Sequence, residues 1–537
     1  MTADPYNTAL FKVRDATAAR ELRDHLGDVI NVKSMGAAGN GTTDDTAAIQ
    51  AAFDLAYGTY AAPHGGLNDV GSLIYTNRPV FFPVGHYKVS SAIASRAISG
   101  AANNGSGLIR LTVSTTGLTT GDNVHVVGVT GTTEANFPWF VTVIDATHLD
   151  LQMSAFANAY VSGGTITTPC LRLKSTQGAL ITGGGRMGTF IESASPNAAV
   201  VCTNGCAYSR FENLTFAADA NGIAFQLDWA NSDTGTCALQ SNTFHNVTFG
   251  GIGGHTAPKY GLMIGAGQDM GSETMVLNCY TGGCSVAGIS TWNYNACDNT
   301  IVGGNIASCA IGILVTSGSF NTINGVSFQA QTDCDIYVIN GAQDSYSVAG
   351  CRSESANFFK QGAAQPVHIS GCNQTLGTSG YFWSGSGYVT LDSCSSINGY
   401  VEGNPRLAIT YCDFQRSDYL TAGADNFTHL QVTPQRVTTQ TAATYSVQGY
   451  DCSSKILFDR ATGQTVTVPK TSDNTIRLVA GSKIEVQQVN TGQTVFAGAS
   501  GVTVRSANGL KLRAQYSCAT LTCDGSDLWT LSGDTAV

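Results

Sequence analysis

The sequence has little charge. Only 12% of its 537 residues are Asp, Glu, Lys or Arg, and the formal net charge is −10. Exposed faces of long helices need more charged residues than this, so the composition disfavours a helical protein. Lys and Arg form no cluster, and no apolar run reaches the roughly 18 residues of a membrane span. We therefore expect no nucleic-acid partner and no membrane insertion.

Motifs for metal binding and secretion are also missing. None of the 16 cysteines lies in a CxxC pair or in a Cys/His cluster with the spacing of metal ligands. The acids form no cluster of the kind that binds calcium. We therefore predict neither a metal nor a cofactor. The first residues contain no apolar signal segment, so we expect synthesis in a cytoplasm, where cysteines remain mostly thiols.

What the sequence does contain is glycine, 62 residues of it, together with abundant Ser, Thr and Asn. This composition favours many short strands joined by turns. One helix is predicted before them, over residues 16–26, because Asp15 suits its N-cap and Gly27 its C-terminal cap. This helix is interpreted as a virion-attachment element or as a plain capping helix.

Two motifs follow the predicted helix. Residues 36–50 read GAAGNGTTDDTAAIQ, and residues 80–89 read VFFPVGHYKV. They resemble the N-terminal signature of the pectate-lyase-like β-helix superfamily, which includes phage tailspikes, although Asn40 replaces the usual Asp. The resemblance implies a helix that closes the end of a right-handed parallel β-helix, followed by its first coils. Asp44 and Asp45 are interpreted as charges at the helix N-terminus rather than as catalytic acids.

A four-residue unit then recurs nine times. Each unit has an apolar first residue and, in most cases, an Asn or Gly in the third position. Its fourth residues are Leu214, Val247, Cys279, Gly304, Val326, Cys351, Cys372, Cys394 and Cys412. Successive fourth residues are 33, 32, 25, 22, 25, 21, 22 and 18 positions apart, which suits one β-helical coil per repeat.

The spacing within the unit predicts a corner. Two interior residues three positions apart cannot lie on one straight strand, whose faces alternate with period two. We therefore predict that the third residue adopts the left-handed (αL) conformation, which Gly and Asn tolerate. The fourth residues then form an interior column, and its five cysteines are predicted to pack as small apolar side chains rather than as disulfides.

Two further regions have a different pattern. Residues 96–170 contain alternating strands separated by Gly-rich turns, and residues 429–537 contain short strands typical of a sandwich or small barrel. The fold prediction is all-β: a right-handed parallel β-helix with a short N-terminal helical segment, an inserted small β module and a C-terminal β-sandwich-like domain. The predicted regions are 1–29 (helical, virion attachment), 30–95 (capping helix and first coils), 96–170 (insert), 171–428 (β-helix body) and 429–537 (trimerisation or tip).

Candidate site residues come from the longest coils and from one outward stripe. Glycosidic hydrolysis uses two carboxyl groups, about 5–5.5 Å apart for retention or about 6.5–9.5 Å apart for inversion. The long early coils and the stripe supply the catalytic candidates Asp228, Asp269, Glu273 and Glu354. The substrate-binding candidates are Trp229, Trp292, Tyr294, Arg352, Asn373 and Asp413.

The resemblance implies a phage tailspike or tail-fibre protein. It would form a homotrimer in the virion tail and contact tail or baseplate proteins through its N-terminus. We expect it to bind a bacterial capsule, O-antigen or exopolysaccharide and to depolymerise it by hydrolysis, with lyase chemistry less favoured. The alternative is a non-enzymatic virion or adhesion fibre. A secreted pectin-type glycosidase is a third reading, disfavoured because no signal segment is visible.

Overall fold

The computed structural model describes residues 10–11, 20–21, 27–59, 62–63, 77–230, 237–250, 257–266, 271–292, 295–339, 346–362, 366–375, 380–385, 387–397, 399–403, 406–410, 412–414, 426–431, 437–471 and 478–537. The chain divides into two compact units, residues 1–322 and 323–537. In the described ranges, no helix has both the length and the apolar character needed to cross a bilayer.

The N-terminal unit contains three parallel sheets, A, B and C, and the chain visits them in turn. Sheet A consists of Leu171–Gln177, Ala199–Ala207, Ile223–Leu227, Tyr260–Ile264, Ala287–Thr291 and Ile311–Val315, with Leu239–Gln240 beside its second strand. Sheet B consists of Ile30–Asn31, Val80–Phe82, Leu180–Gly183, Arg210–Glu212, Thr243–His245, Met275–Leu277 and Thr300–Val302. Sheet C consists of Asn40–Asp44, Gly85–Val89, Thr189–Ser193, Thr215–Ala217, Thr248–Gly250, Tyr280–Gly282 and Asn305–Ala307. This arrangement confirms the predicted parallel β-helix.

One α-helix, Thr46–Tyr57, stands at the start of this unit among the described residues. The Asp44 carboxylate accepts a hydrogen bond from the Thr46 N–H at 2.9 Å, and so neutralises a free donor at the helix N-terminus. Asp45 is buried, and its carboxylate accepts from the Ala38 and Gly39 N–H groups at 2.6 and 3.0 Å. Both acids therefore have structural partners: Asp44 binds the helix N-terminus, whereas the Asp45 carboxylate binds the loop before the helix.

The helix predicted over residues 16–26 is not found at the two positions of this range that the structure describes. Its only described residues, Arg20–Glu21, form a strand that pairs antiparallel with Leu10–Phe11. At these two positions the helix prediction is wrong, because pairing with a second segment overrides the local helical pattern. The remaining positions lie outside the described residues. Elsewhere in this unit, the short strands Gly58–Thr59 and Ala62–Pro63 pair antiparallel, and 3-10 turns span Val32–Met35 and, within the insert, Thr133–Ala135.

The predicted corners are confirmed. The third residues of the eight described units all have positive φ, between 49° and 64°. They are Asn213, Asn246, Asn278, Gly303, Gly325, Gly350, Gly371 and Ser393. The Asn246 amide donates to the Asn213 side-chain oxygen at 2.8 Å, so neighbouring corners of the N-terminal unit also share a side-chain bond.

The interior is filled by stacked apolar side chains. Phe211 and Phe244, on adjacent sheet B strands, stack with ring centroids 4.9 Å apart. The cysteines of the fourth positions are free thiols. Cys351, Cys372 and Cys394 are 1% exposed, so these thiols serve as small core side chains, as predicted.

The insert is a separate antiparallel sheet within the N-terminal unit. Its strand order is Gly100–Asn103, Ile109–Thr112, His148–Leu151, Pro138–Val143, Asn123–Val127, Thr165–Thr167 and Arg96–Ala97. It has its own apolar core, which includes Leu111, Val126 and Leu149. The predicted inserted β module is therefore confirmed.

The parallel strands of the C-terminal unit fall into three sets, which we call sheets D, E and F. Sheet D consists of Cys334–Val338, Phe359–Gln361, Gly380–Gly385 and Gly399–Gly403. Sheet E consists of Thr322–Asn324, Tyr346–Ala349, Val367–Ser370, Tyr388–Asp392, Arg406–Thr410 and Asn426–Gln431. Sheet F consists of Ser327–Gln329, Arg352–Glu354, Asn373–Gln374, Ser395–Ser396 and Asp413–Phe414.

Two mixed sheets end the chain. One has the order Val437–Gln440, Lys455–Phe458, Lys483–Gln488, Cys518–Gly525, Leu528–Gly533 and Thr503–Arg505. The other has the order Thr444–Ser446, Gln464–Val468, Thr494–Gly498, Lys511–Leu512 and Thr535–Ala536, and a 3-10 turn spans Gly449–Asp451. Side chains of both sheets, including Phe458, Phe496 and Trp529, share one buried core. This agrees with the predicted sandwich-like domain.

Candidate functional site

In five successive coils of the N-terminal unit, one turn carries an exposed or half-buried side chain on a strained backbone. The turn joins sheet A to sheet B, and its residue has a φ of 53°, 53°, 57°, 55° or 52° in five successive coils. These residues are Tyr208, Ser241, Glu273, Asp298 and Phe320. We call them the corner column. The αL conformation is unfavourable for residues other than Gly, so the surrounding structure must hold each corner in place.

Backbone hydrogen bonds stack the corners on one another. The Tyr208 N–H donates to the Gln240 carbonyl at 3.1 Å, and the Glu273 N–H donates to the Cys297 carbonyl at 3.0 Å. The Asp298 N–H donates to the Ser319 carbonyl at 3.1 Å. Parallel strands lie about 4.8 Å apart, so successive corner residues are spaced by about the same distance.

A buried polar ladder lies directly beneath the column. Its members are the residues that follow the corners, namely Ser209, Asn242, Thr274, Asn299 and Asn321, each at most 5% exposed. The side-chain oxygen of Asn299 accepts from the Thr274 N–H at 3.0 Å, and that of Asn321 accepts from the Asn299 N–H at 3.1 Å. The side-chain oxygen of Asn242 accepts from the Ser209 N–H at 3.2 Å. The ladder therefore fixes the backbone on which the corner side chains stand.

The middle of the column carries two exposed carboxylates on adjacent coils, Glu273 and Asp298. The Ser241 hydroxyl donates to the Glu273 carboxylate and orients it. No Lys or Arg forms an ion pair with either acid in the part of the chain that the structure describes. The backbones of the two acids are one coil, about 4.8 Å, apart, so the two side chains stand on the same surface of neighbouring coils.

The structure places the sequence-predicted residues of the early coils very differently. Glu273 lies on the corner column, whereas Asp269 and Tyr294 fall outside the described residues. Asp228 is fully buried; its carboxylate accepts from the Gln226 amide at 2.9 Å and from the Trp229 N–H at 2.9 Å. Trp229 is itself 8% exposed. Neither residue is placed to meet a surface polysaccharide in this structure.

The insert contacts residues of sheet A and residues beside it. The Arg172 guanidinium on sheet A donates to the Asp122 carboxylate of the insert at 3.0 Å. The His125 ring nitrogen Nδ1 lies 2.6 Å from the Asn197 carbonyl oxygen. Trp292, a predicted sugar platform, is half-buried, with its ring centroid 4.6 Å from that of Phe137 in the insert. Phe137 of the insert therefore covers part of the surface on which the long early coils were expected to bind a sugar.

The outward stripe of the C-terminal unit is arranged as predicted. Arg352 pairs in register with Asn373, Asn373 with Ser395, and Ser395 with Asp413, so these side chains occupy equivalent positions of successive coils. The Arg352 guanidinium donates to the Glu354 carboxylate, so the acid has a cationic neighbour. An acid held in an ion pair suits sugar binding better than proton transfer. The catalytic role of Glu354 and the binding roles of the stripe remain predictions.

Asp298, Tyr208 and Phe320 were not among the sequence candidates. A signal for them exists in the repeat spacing: positions 208, 241, 273, 298 and 320 are separated by 33, 32, 25 and 22 residues. These are the steps between the first five four-residue units. Counting these steps backwards and forwards along the chain from Glu273 identifies the other four residues of the corner column.

Comparison with known proteins agrees with the fold. A family model described as rhamnogalacturonase A/epimerase, pectate lyase-like, matches residues 29–251. The fold is the pectate-lyase-like right-handed β-helix. No curated protein matches the chain.

Several solved structures have a similar β-helix. ORF18 of Geobacillus virus E2 is 16% identical, with a TM-score of 0.43 over 73% of this chain and 62% of that protein. The Dettilon tailspike protein gp208 is 10% identical, with a TM-score of 0.41 over 94% of this chain and 78% of the tailspike. The A-module of the Azotobacter vinelandii mannuronan C-5 epimerase AlgE4 is 14% identical, with a TM-score of 0.28 over 72% of this chain and 97% of the module. This chain thus spans less than two thirds of the Geobacillus virus protein.

Proposed function

We propose that this protein binds a bacterial surface polysaccharide along the corner column and hydrolyses its glycosidic bonds. The observation that carries the proposal is the pair of exposed carboxylates, Glu273 and Asp298, at the same corner of adjacent coils. Among the described residues, neither acid is neutralised by a cationic side chain. Retaining hydrolysis needs two such groups about 5–5.5 Å apart.

The chemistry would proceed in two balanced steps. One carboxyl group gives its proton to the glycosidic oxygen while the other carboxylate attacks the anomeric carbon, and the bond to the leaving sugar breaks. A water molecule then displaces the carboxylate from that carbon and returns a proton to the first group. The corner backbone keeps the two acids on neighbouring coils throughout, because the buried ladder fixes it from below.

A reducing-end assay on host polysaccharides tests the proposal. Capsule or lipopolysaccharide from candidate hosts is incubated with the protein, with Glu273→Gln and with Asp298→Asn. We expect new reducing ends with the unsubstituted protein and a loss of about 100-fold or more in each variant. Asp459→Asn is the control, because this exposed acid lies in the C-terminal unit and belongs to neither the corner column nor the outward stripe, and we expect it to retain activity.

Two outcomes would contradict this assignment. If both variants of the column remain as active as the unsubstituted protein, the reaction takes place elsewhere. If the protein binds a host polysaccharide and releases no ends from it, the protein acts as an adhesion fibre, the alternative reading. Circular dichroism and thermal unfolding of each variant exclude a folding defect as the cause of lost activity.

We further propose that the protein works as a homotrimer in a phage tail. Phage proteins are among the solved structures with a similar fold, and the low charge and strand-rich composition suit a stable virion component. In this proposal the N-terminal residues contact other tail or baseplate proteins. Light scattering of the purified full chain measures the expected threefold mass, and a monomer in solution would contradict it.

A further inference from the structure

Aromatic side chains occupy both ends of the corner column. Tyr208 is 43% exposed and Phe320 is 50% exposed, although large rings are usually buried. Tyr208 stands two coils before Glu273, and Phe320 stands one coil after Asp298. At about 4.8 Å per coil, the rings are about 10 Å and about 5 Å from the nearer acid along the column. The pair of acids is therefore bracketed unequally by two exposed rings.

The geometry of the corners, together with one hydrogen bond at Tyr208, keeps both rings on the surface. The Gln240 amide donates to the Tyr208 hydroxyl at 2.6 Å, which ties the ring to the next coil. Tyr208 and Phe320 both have positive φ, and the next residue of each, Ser209 and Asn321, belongs to the buried ladder. An αL corner with a buried following residue directs its own side chain outward. The exposure of the rings is thus a property of the corner itself.

The flanks of the column contain little positive charge. In the described segments 207–210, 240–243, 272–275, 297–300 and 319–322, the one basic residue is Arg210. Its guanidinium donates to the Glu212 carboxylate and is therefore already neutralised. Glu273 and Asp298 consequently set the sign of the local field. A polymer with a carboxylate on every sugar would be repelled at this surface.

We propose that Tyr208 and Phe320 are stacking platforms for two sugar rings of one chain that lies along the corner column, and that this chain is uncharged or poor in acidic sugars. The proposal rests on the proposed function, and it names the substrate class and two further substrate-binding residues. The C–H face of a sugar ring is weakly positive and packs on the electron-rich face of an aromatic ring. Two platforms on opposite sides of the acids also make cleavage internal to the chain.

Kinetics on long and short substrates test the platforms. Tyr208→Ala and Phe320→Ala are compared on the host polysaccharide and on its shortest cleavable fragment, with Tyr388→Ala as the control. Tyr388 is also 43% exposed, but it lies in the C-terminal unit. We expect each column variant to raise KM for the polymer about threefold to tenfold with kcat unchanged. The control keeps the KM of the unsubstituted protein, and the shortest fragment is affected by at most one of the two substitutions.

The outcomes separate this inference from the proposed function. If Glu273→Gln abolishes hydrolysis but neither ring variant changes KM, the function stands and the platforms are wrong. If Glu273→Gln and Asp298→Asn both retain full activity, the proposed function is wrong, and the platform assignment that rests on it is wrong as well. If Phe320→Ala dissociates the oligomer in light scattering, the ring is a subunit contact and the platform assignment is overturned.

Salt dependence tests the charge of the substrate. We expect KM to change less than about twofold between about 50 and 500 mM NaCl, because recognition of an uncharged chain by rings and hydrogen bonds is little screened. A KM that rises about tenfold or more over this range would indicate a polyanion held by Lys or Arg. That result would overturn the assignment of an uncharged substrate.

Discussion

Asp335 makes the stability of the C-terminal unit dependent on pH. It lies on the sheet D strand Cys334–Val338 and is fully buried. The Ser353 hydroxyl donates to one carboxylate oxygen, and the other oxygen has no hydrogen-bond partner in the described part of the chain. Burial raises the pKa of Asp335 from 3.8 to about 7, and hydrogen bonds from Ser353 and Ser355 only partly oppose this rise.

The size and sign of the effect follow from the two pKa values. A raised pKa means that the folded state binds the proton more tightly than the unfolded state. The contribution of Asp335 to the free energy of unfolding is therefore largest below about pH 4, falls as the pH rises, and reaches its lower level above about pH 7. At about 1.4 kcal/mol per pKa unit, the loss between these limits is of the order of 4 kcal/mol.

Asp335→Asn should remove this loss, because a neutral amide replaces the carboxylate in the same space. Guanidinium unfolding followed by fluorescence, between about pH 4 and pH 8.5, measures the free energy of unfolding of both proteins. We expect the advantage of the variant to grow with pH by several kcal/mol. Asp413→Asn, an exposed acid of the same unit, is the control and should show no such growth. A difference between Asp335→Asn and the unsubstituted protein that does not vary with pH would refute the reasoning.

Two further predictions concern the N-terminal unit. Asn299→Ala removes the acceptor of the buried Thr274 N–H and should lower the free energy of unfolding by about 1–3 kcal/mol. The control Asn324→Ala, at an exposed position in the C-terminal unit, should lower it far less. Chemical unfolding of both variants measures this, and equal effects would contradict a structural role of the ladder. Burial lowers the pKa of His125 from 6.5 to about 4, so the unit should lose up to about 3 kcal/mol of stability as the pH falls from 6.5 to 4. His125→Gln should flatten this acid dependence in thermal unfolding, and an unchanged pH profile would show that another group titrates.

The β-helix could be predicted from the sequence because its corners impose a local rule. An interior residue, a turn residue and a second interior residue must recur in fixed order, and only residues that tolerate positive φ fit the turn well. Asn213, Asn246 and Gly325 satisfy this rule in the sequence and adopt the expected conformation. The interior cysteines follow from the same rule, because the position after the corner must be buried.

The candidate site was less predictable for two physical reasons. The corner column has no common residue type: Tyr208, Ser241 and Glu273 share only their spacing and their backbone conformation. The burial of Asp228, in contrast, depends on packing against the preceding coil, where its N–H donates to the Thr203 hydroxyl at 2.7 Å. No local pattern around Asp228 reports a contact with the preceding coil.

The division of labour between the ladder and the column has an evolutionary consequence. The buried ladder uses a narrow set of small polar residues, whereas the position just before it holds five different side chains, Tyr208, Ser241, Glu273, Asp298 and Phe320. A substitution at one corner therefore alters the surface of a single coil and leaves the hydrogen bonds below it in place. Such a surface can change residue by residue under selection, as the proposed binding of a bacterial surface polysaccharide would require.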